Sequence, residues 1–319
     1  MAACTRLDTT GVSGRRTLLF VAFGTLLALN LVTLVAAYPE TTAIDSGCCG
    51  NRPLQKDFSA FYTAAWRLFN DPSHVYTPGN VNDGRSQTVP PPEAYKYLPS
   101  FLFMVAPFLA LGYQQALTAF DILQFLLLPL MAILLYALVR GRGVAVTLVV
   151  SAVVLVLPLP WPHWGLSVPY YWQWAEGQSK VLETFLLLLS FYFGMRRRPK
   201  LSGLAFALTA FDPRFTLLSV PLFVVYNRHD LRMASLTALG SFALSNAAFV
   251  YPGVASGFLT MLLDSGLSTP LYYYALIPLS AIVSLTVLNT RDIARTFREI
   301  AAAQPQSQGG APVAKLKSA

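Results

Sequence analysis

A carboxylate stands at the start of a predicted helix in the stretch KDFSAFYTAAWRLFNDPSHVY (56–76). Its apolar residues recur at helical spacing until Asp-Pro at 71–72 ends the pattern. Asp57 could accept backbone N–H groups as an N-cap of the helix, or take the proton of a bound hydroxyl group as a general base. Both roles are open. We expect the helix 58–70 to lie on the protein surface and to bury one apolar stripe, formed by Phe58, Phe61, Ala65 and Leu68.

Several cations in the sequence could hold an anion such as a phosphate group. Arg214 follows a proline in FDPRF (211–215), where it could pair with Asp212 or form a bidentate clamp on phosphate. Other cations with the same potential role are Lys56, Arg67, Lys96 and Lys180.

Polar residues elsewhere add candidates for binding. Asp121 interrupts a long apolar run, where a polar group is a candidate for function. Glu176 and Gln178 belong to the aromatic stretch WPHWGLSVPYYWQWAEGQSK (161–180), which suits either an interfacial belt or stacking on sugar rings. Glu176 is the second candidate for a base. The sequence has no Cys/His metal spacing and no Walker, GxGxxG, HExxH or GxSxG motif, so we expect neither a metal nor a cofactor.

The composition determines the kind of protein that positions these groups. Of 319 residues, 55% are hydrophobic and 12% are charged, against about 25% charged in soluble domains. We therefore predict an all-α polytopic membrane protein, with residues 1–300 as one domain and 301–319 as a disordered cytoplasmic tail.

Five basic clusters set the predicted topology, because positive residues favour the cytoplasmic side. Placing all five inside requires that the stretch 98–112 does not cross and that 201–226 forms two half-spans turning at FDPRF. The result is about eight crossings, with outer loops at 38–114 and 161–180. It accounts for the net charge of +8 without a nucleic-acid partner. The clusters are Arg15-Arg16, Arg140 with Arg142, RRRPK (196–200), Arg228 with Arg232, and Arg291 with Arg295 and Arg298.

The order of motifs resembles that of C-type, multi-span glycosyltransferases. A first span precedes DFSAFYTAA, followed by YKYLPS, EGQSK and LSGLAFALTAFDPRF. This order is similar to that of the bacterial polyprenyl-phosphate-mannose-dependent α-mannosyltransferases and arabinofuranosyltransferase-like proteins, over about residues 15–255. The sequence departs from their pattern at YLPS (97–100), where they have Tyr-Pro-Pro, and at FDPRF, where they have Lys-Pro. It is also shorter than most of them.

The resemblance implies an inverting transfer of a mannose- or arabinofuranose-like sugar. The donor would be a polyprenyl-phosphate sugar, and the acceptor a hydroxyl of an envelope glycolipid or glycan on the outer face of the bilayer. Asp57 would be the base, Arg214 would hold the donor phosphate, and Tyr97 would lie in the binding region. The short chain keeps two alternatives open: a non-catalytic relative or accessory subunit working with a membrane partner, and a transporter.

Overall fold

The structure is a computed structural model that describes residues 56–79, 95–139, 177–265 and 276–303, with isolated residues elsewhere. Its strands are β1 (Ile44–Asp45) and β2 (Arg52–Pro53), which pair antiparallel. Short 3-10 turns lie at Pro72–His74, Ala106–Ala110 and Ala247–Val250. The α-helices are α1 (Lys56–Asn70), α2 (Ser100–Val105), α3 (Tyr113–Val139), α4 (Lys180–Met195), α5 (Pro199–Thr209), α6 (Pro213–Tyr226), α7 (Leu231–Ser245), α8 (Pro252–Ser265) and α9 (Leu276–Ala303).

Two helices of the described part are long and apolar enough to cross a bilayer, namely α3 and the segment Leu276–Ala302 of α9. At 1.5 Å per residue, each of these 27-residue segments reaches about 40 Å, beyond the ~30 Å of bilayer hydrocarbon. The total of eight crossings stays a prediction. Helix α9 continues through Ala303, so the first three residues of the expected disordered tail are helical.

The stretch 98–112 forms a short helix followed by a 3-10 turn rather than a span. Helix α2 has six residues and the turn has five, so together they reach only about 20 Å. Pro99 directly precedes α2, and Pro107 lies in the 3-10 turn. This length agrees with the prediction that the stretch does not cross. Its orientation to the membrane stays a prediction.

Helices α4, α5 and α6 run back and forth beside one another. Asp212 lies between α5 and α6, which confirms the predicted break at FDPRF. At the far end of α4, the position of a Cβ on Gly194 would be 3.0 Å from the Tyr226 backbone at the end of α6. The Asn227 amide donates to the Ser202 hydroxyl near the start of α5 at 2.9 Å. The end of α4, the start of α5 and the end of α6 therefore lie at one end of this bundle, and the start of α4 lies with the 210–212 turn at the other.

One group of basic residues gathers at the end of the bundle away from that turn. The Arg142 guanidinium lies 3.6 Å from the Asp292 carboxylate. The Asn289 amide donates to the Tyr226 hydroxyl at 3.3 Å. These contacts bring Arg142, the start of the basic part of α9 and the end of α6 together, beside the RRRPK turn. The arrangement agrees with the charge argument for the half-spans, while the membrane side it faces stays a prediction.

Helix α1 differs from the sequence-based expectation of a surface helix. Its predicted apolar stripe is buried, but Ser59 and Thr63 on other faces are also buried, with 0% and 2% exposure. The reason is tertiary, because α2, α3 and the turns at 72–74 and 106–110 all pack around it. Since the helix begins at Lys56, Asp57 lies in its first turn rather than before it.

Candidate active site

Four charged side chains meet where α4 begins and α5 turns into α6. The Lys180 ammonium lies 2.6 Å from the Asp212 carboxylate and 3.0 Å from that of Glu183. On its other side, Asp212 accepts from Arg214 Nε at 2.9 Å and Nη2 at 2.8 Å. Lys180, Glu183 and Asp212 are at most 1% exposed, while the Arg214 side chain is 45% exposed. We call these four residues the charged cluster.

Local sequence explains how Asp212 comes to bridge the two cations. Helix α5 ends at Thr209, and Pro213 occupies the first position of α6, where its missing N–H costs nothing. Asp212 is the N-cap of α6 and accepts the Arg214 backbone N–H at 3.3 Å. The same residue thus caps a helix, orients the Arg214 side chain and compensates Lys180.

The electrostatics of Asp212 follow from its neighbours. Burial alone would raise the pKa of its carboxyl group, but the Lys180 ammonium and the Arg214 guanidinium outweigh burial and hold the pKa well below its usual range. Asp212 is therefore ionised at physiological pH. Lys180 compensates the charge of Asp212 inside the protein. The exposed side of Arg214 can therefore contact an anion while the buried Asp212 carboxylate keeps a cation beside it.

Tyr97 links the charged cluster to α1. The Lys180 ammonium lies 5.2 Å from the centroid of the Tyr97 ring, and the backbone N–H of Leu98 donates to the Phe211 carbonyl at 3.2 Å. Burial raises the pKa of the Tyr97 hydroxyl above its usual range, and the charges that act on it include both Lys180 and Asp57. The charge of the half-buried Asp57 carboxylate and the charges of the cluster thus act on the same tyrosine.

A glycine brings the EGQSK segment against the first turn of α1. Gly177 has φ +61°, and a Cβ at this position would lie 2.7 Å from Phe58 Cβ and 3.1 Å from Leu117 Cδ1. Only glycine meets both demands without strain. The backbone that leads into Gln178 therefore lies directly against Phe58, the residue after Asp57. The structure brings together four residues that the sequence left apart: Asp57, Tyr97, Gln178 and Arg214.

Two glutamines, Gln173 and Gln124, hold the start of α4 in place. The Gln124 amide on α3 donates to the Gln178 backbone carbonyl at 2.7 Å, and the Gln173 side chain accepts the Lys180 N–H at 3.1 Å.

Asp121, one turn before Gln124 on the same helix, is buried, and its Oδ1 has no hydrogen-bond partner. A buried polar atom left in this state costs about 1–3 kcal/mol.

The remaining predicted residues are distributed differently. The predicted pairing of Arg214 with Asp212 is confirmed. Lys96 is exposed. Lys56 is the first residue of α1. Arg67 donates to the backbone carbonyls of His74 and Gly79 at 3.0 and 3.1 Å, which ties the segment after α1 to the helix. The second candidate base, Glu176, lies outside the described residues.

Sequence reasoning missed Glu183 and undervalued Lys180. Lys180 is enclosed between two carboxylates and does not face solvent as an outer cation would. A signal was present, because a Lys and an acid three residues apart opened an otherwise apolar run. Ionisable groups at the end of a membrane segment are usually paired. The spacing could not show that the partner of both cations would be Asp212.

Comparison with known proteins identifies the family. No curated protein and no solved structure matches the chain. The model of glycosyltransferase family 87 matches residues 95–294, which include the charged cluster, Tyr97, Asp121 and Gln178 but not Asp57. This match covers more than half of the chain. The chain therefore belongs to glycosyltransferase family 87, a C-type family of membrane glycosyltransferases.

Proposed function

We propose that the protein transfers a mannose- or arabinofuranose-like sugar from a polyprenyl-phosphate donor to a hydroxyl of an envelope glycolipid or glycan. The observation that carries the proposal is that the Asp57 carboxylate and the Lys180–Asp212–Arg214 chain of charges both act on Tyr97. A base and a cation for the leaving group are thus both present near one residue, and a transfer with inversion requires both groups.

The proposed step uses one carboxylate and one guanidinium. The acceptor oxygen attacks the anomeric carbon while the bond from that carbon to the donor phosphate oxygen breaks. Asp57 takes the acceptor proton, and polyprenyl phosphate leaves with one more negative charge than the donor carried. Arg214 stabilises this charge with donor groups that its pair with Asp212 leaves available, since its side chain is 45% exposed.

The proposal also places the site at the extracytoplasmic face of a multi-pass protein. It is supported by the gathering of Arg142 and the basic part of α9 at the end of the bundle away from Asp212, because basic ends favour the cytoplasm. Single cysteines at positions 85 and 141, in a chain lacking native cysteines, would test this. We expect an impermeant thiol reagent in intact cells to label position 85 and not 141. The reverse pattern would refute the sidedness.

Asp57→Asn tests the base. The amide cannot take a proton, so transfer in reconstituted membranes should fall by about 10² to 10⁴. The fold should survive, because asparagine has nearly the same size and the attraction between the carboxylate and the helix N-terminus contributes only about 0.3–1 kcal/mol. Asp71→Asn, at an exposed acid directly after α1, is the matched control and should retain transfer. Near-normal transfer by Asp57→Asn would leave Asp57 a structural residue and direct the search to Glu176 or Asp121.

Arg214→Ala and Arg214→Lys test the cation. We expect the alanine variant to raise the donor KM far more than the acceptor KM. The lysine variant should retain part of the function, because it keeps the charge but loses the bidentate geometry. Arg228→Ala, at an exposed arginine after α6, is the control. An unchanged donor KM in Arg214→Ala would move the phosphate contact to Lys56 or Lys96. Inactivity of the wild type with every polyprenyl-phosphate sugar would favour a non-catalytic relative.

A further inference from the structure

Three neighbouring polar side chains at the start of α4 have buried atoms without a hydrogen-bond partner. They are Gln178, through both Nε2 and Oε1, Ser179 through Oγ, and Glu183 through Oε1. Each of the three residues is 0% exposed. Folded proteins pair nearly all such atoms, and exceptions call for a ligand or ordered water. We call these residues the unpaired polar set.

Capping of α4 does not explain the set. Ser179 occupies the N-cap position, yet its side chain makes no capping hydrogen bond. The cap is supplied from elsewhere, because Gln173 accepts the N–H of Lys180 at 3.1 Å and Gln124 accepts the N–H of Leu182 at 3.4 Å. The helix start is thus satisfied by other side chains, and the Ser179 hydroxyl and the Gln178 amide are left for another partner.

The chemistry of the set matches a group of hydroxyls. The amide of Gln178 both donates and accepts, a serine hydroxyl does the same, and the second oxygen of Glu183 accepts when the carboxyl group is ionised and can donate when it is protonated. Lys180 donates to the other oxygen of Glu183 at 3.0 Å, so the set presents hydrogen-bonding groups more than net charge. A sugar ring, with several hydroxyls that each donate and accept, is the ligand that uses all of these atoms.

Position strengthens this assignment. The set directly follows Gly177, which packs against Phe58 beside the proposed base Asp57. It also directly adjoins Lys180, which is bonded to Asp212 at 2.6 Å and through it to the proposed phosphate-holding Arg214. In the proposed transfer, the donor sugar must lie between the base and the phosphate. Along the chain, Gln178 and Ser179 lie between Gly177, on the side of the base, and Lys180, on the side of the phosphate contact.

We infer that the unpaired polar set is the subsite for the hydroxyls of the transferred sugar. This inference rests on the proposed function, since it assigns a place to the donor of that reaction. The set is closed to solvent in this structure, so a sugar reaches it only after side chains around the start of α4 move apart. Gln178 is then a specificity-determining residue, distinct from the groups that move the proton and hold the phosphate.

The test compares binding of two ligands in the absence of acceptor: a polyprenyl-phosphate sugar and polyprenyl phosphate alone. Mannosyl and arabinofuranosyl donors are both used, and dissociation constants are measured on full-length protein in nanodiscs. Gln178→Leu should weaken the sugar-bearing donor by about tenfold or more and leave the bare phosphate unchanged. Ser179→Ala should act in the same direction with a smaller change. The control is Gln115→Leu, at an exposed glutamine of α3, which should alter neither ligand.

The melting temperature of Gln178→Leu distinguishes a glutamine that binds a ligand from one that only supports the fold. An unpaired buried amide replaced by an apolar side chain of similar size should leave the melting temperature unchanged or raise it. A lower melting temperature with unchanged donor binding would show that water or protein satisfies Gln178, and would overturn the subsite. Equal weakening of both ligands would also overturn it. If the wild type binds neither ligand, the proposed function fails together with the subsite.

Discussion

Removal of the Lys180 ammonium is the sharpest perturbation of the charged cluster. Lys180, Glu183 and Asp212 are each at most 1% exposed, so Lys180→Met leaves two buried carboxylates without their shared cation. Asp212 keeps Arg214 at 2.8 Å, whereas Glu183 keeps only the more distant charge of Arg214 and no ion pair among the described residues. Breaking a buried ion pair from one side costs about 3–5 kcal/mol. We expect a melting temperature lower by roughly 5–10 °C in detergent or nanodiscs.

The double variant Lys180→Met with Glu183→Gln separates charge from packing. It removes the uncompensated carboxylate together with the ammonium, so it should recover a large part of the loss. A coupling free energy of about 1–3 kcal/mol should appear in the double-mutant cycle. Glu183→Gln alone should be milder, because Lys180 retains Asp212 at 2.6 Å. Wild-type stability of Lys180→Met, or a double variant no better than the single one, would refute this account of the cluster.

Two further predictions concern the turn before α4 and the response to acid. Gly177→Ala should destabilise the protein by about 2–4 kcal/mol in chemical unfolding, because its φ is +61° and the new Cβ would lie 2.7 Å from Phe58 Cβ. Gly240→Ala, in an open position of α7, should instead stabilise by about 0.5–1 kcal/mol; equal effects at both sites would contradict the packing argument. Because the folded-state pKa of Asp212 lies below its ordinary value of 3.8, the stabilisation from its ionised form is fully present above that value and is lost as pH falls below it. Melting temperatures of wild type and Asp212→Asn should therefore differ by a constant amount above about pH 5 and begin to converge as the pH falls below about 4; a constant difference down to pH 2 would contradict the assignment.

The sequence located several elements through local rules. The basic clusters required one stretch not to cross, and short length with prolines at 99 and 107 singled out 98–112, since Pro107 disfavours continuation of the short helix before it. Asp-Pro at 212–213 predicted the break between α5 and α6, because proline favours the first turn of a helix and Asp caps it. The order of motifs pointed to a C-type glycosyltransferase, and the match to family 87 confirms it.

Periodicity did less well for α1. A stripe of apolar residues predicts one buried face, but it does not limit how many neighbours can cover the other faces. Ser59 and Thr63 are small and are buried along with the apolar stripe, and α2, α3 and two turns pack around the helix, so most of it is covered by protein. Residue size and tertiary contacts decided this, and neither follows from hydropathy.

By itself, the sequence determined that this chain is apolar and helical, where its helices break, and which residue types were available for a base and a cation. Those properties depend on neighbours a few residues apart. Only the tertiary structure decided that Lys180 and Glu183, 32 and 29 residues before Asp212 in the chain, would share a buried site with it. Long-range pairing of charges depends on which helix ends meet. In this protein the helix ends are brought together by the turn at 210–212 and by the close contact of Gly177 with α1. No local sequence pattern predicts either contact.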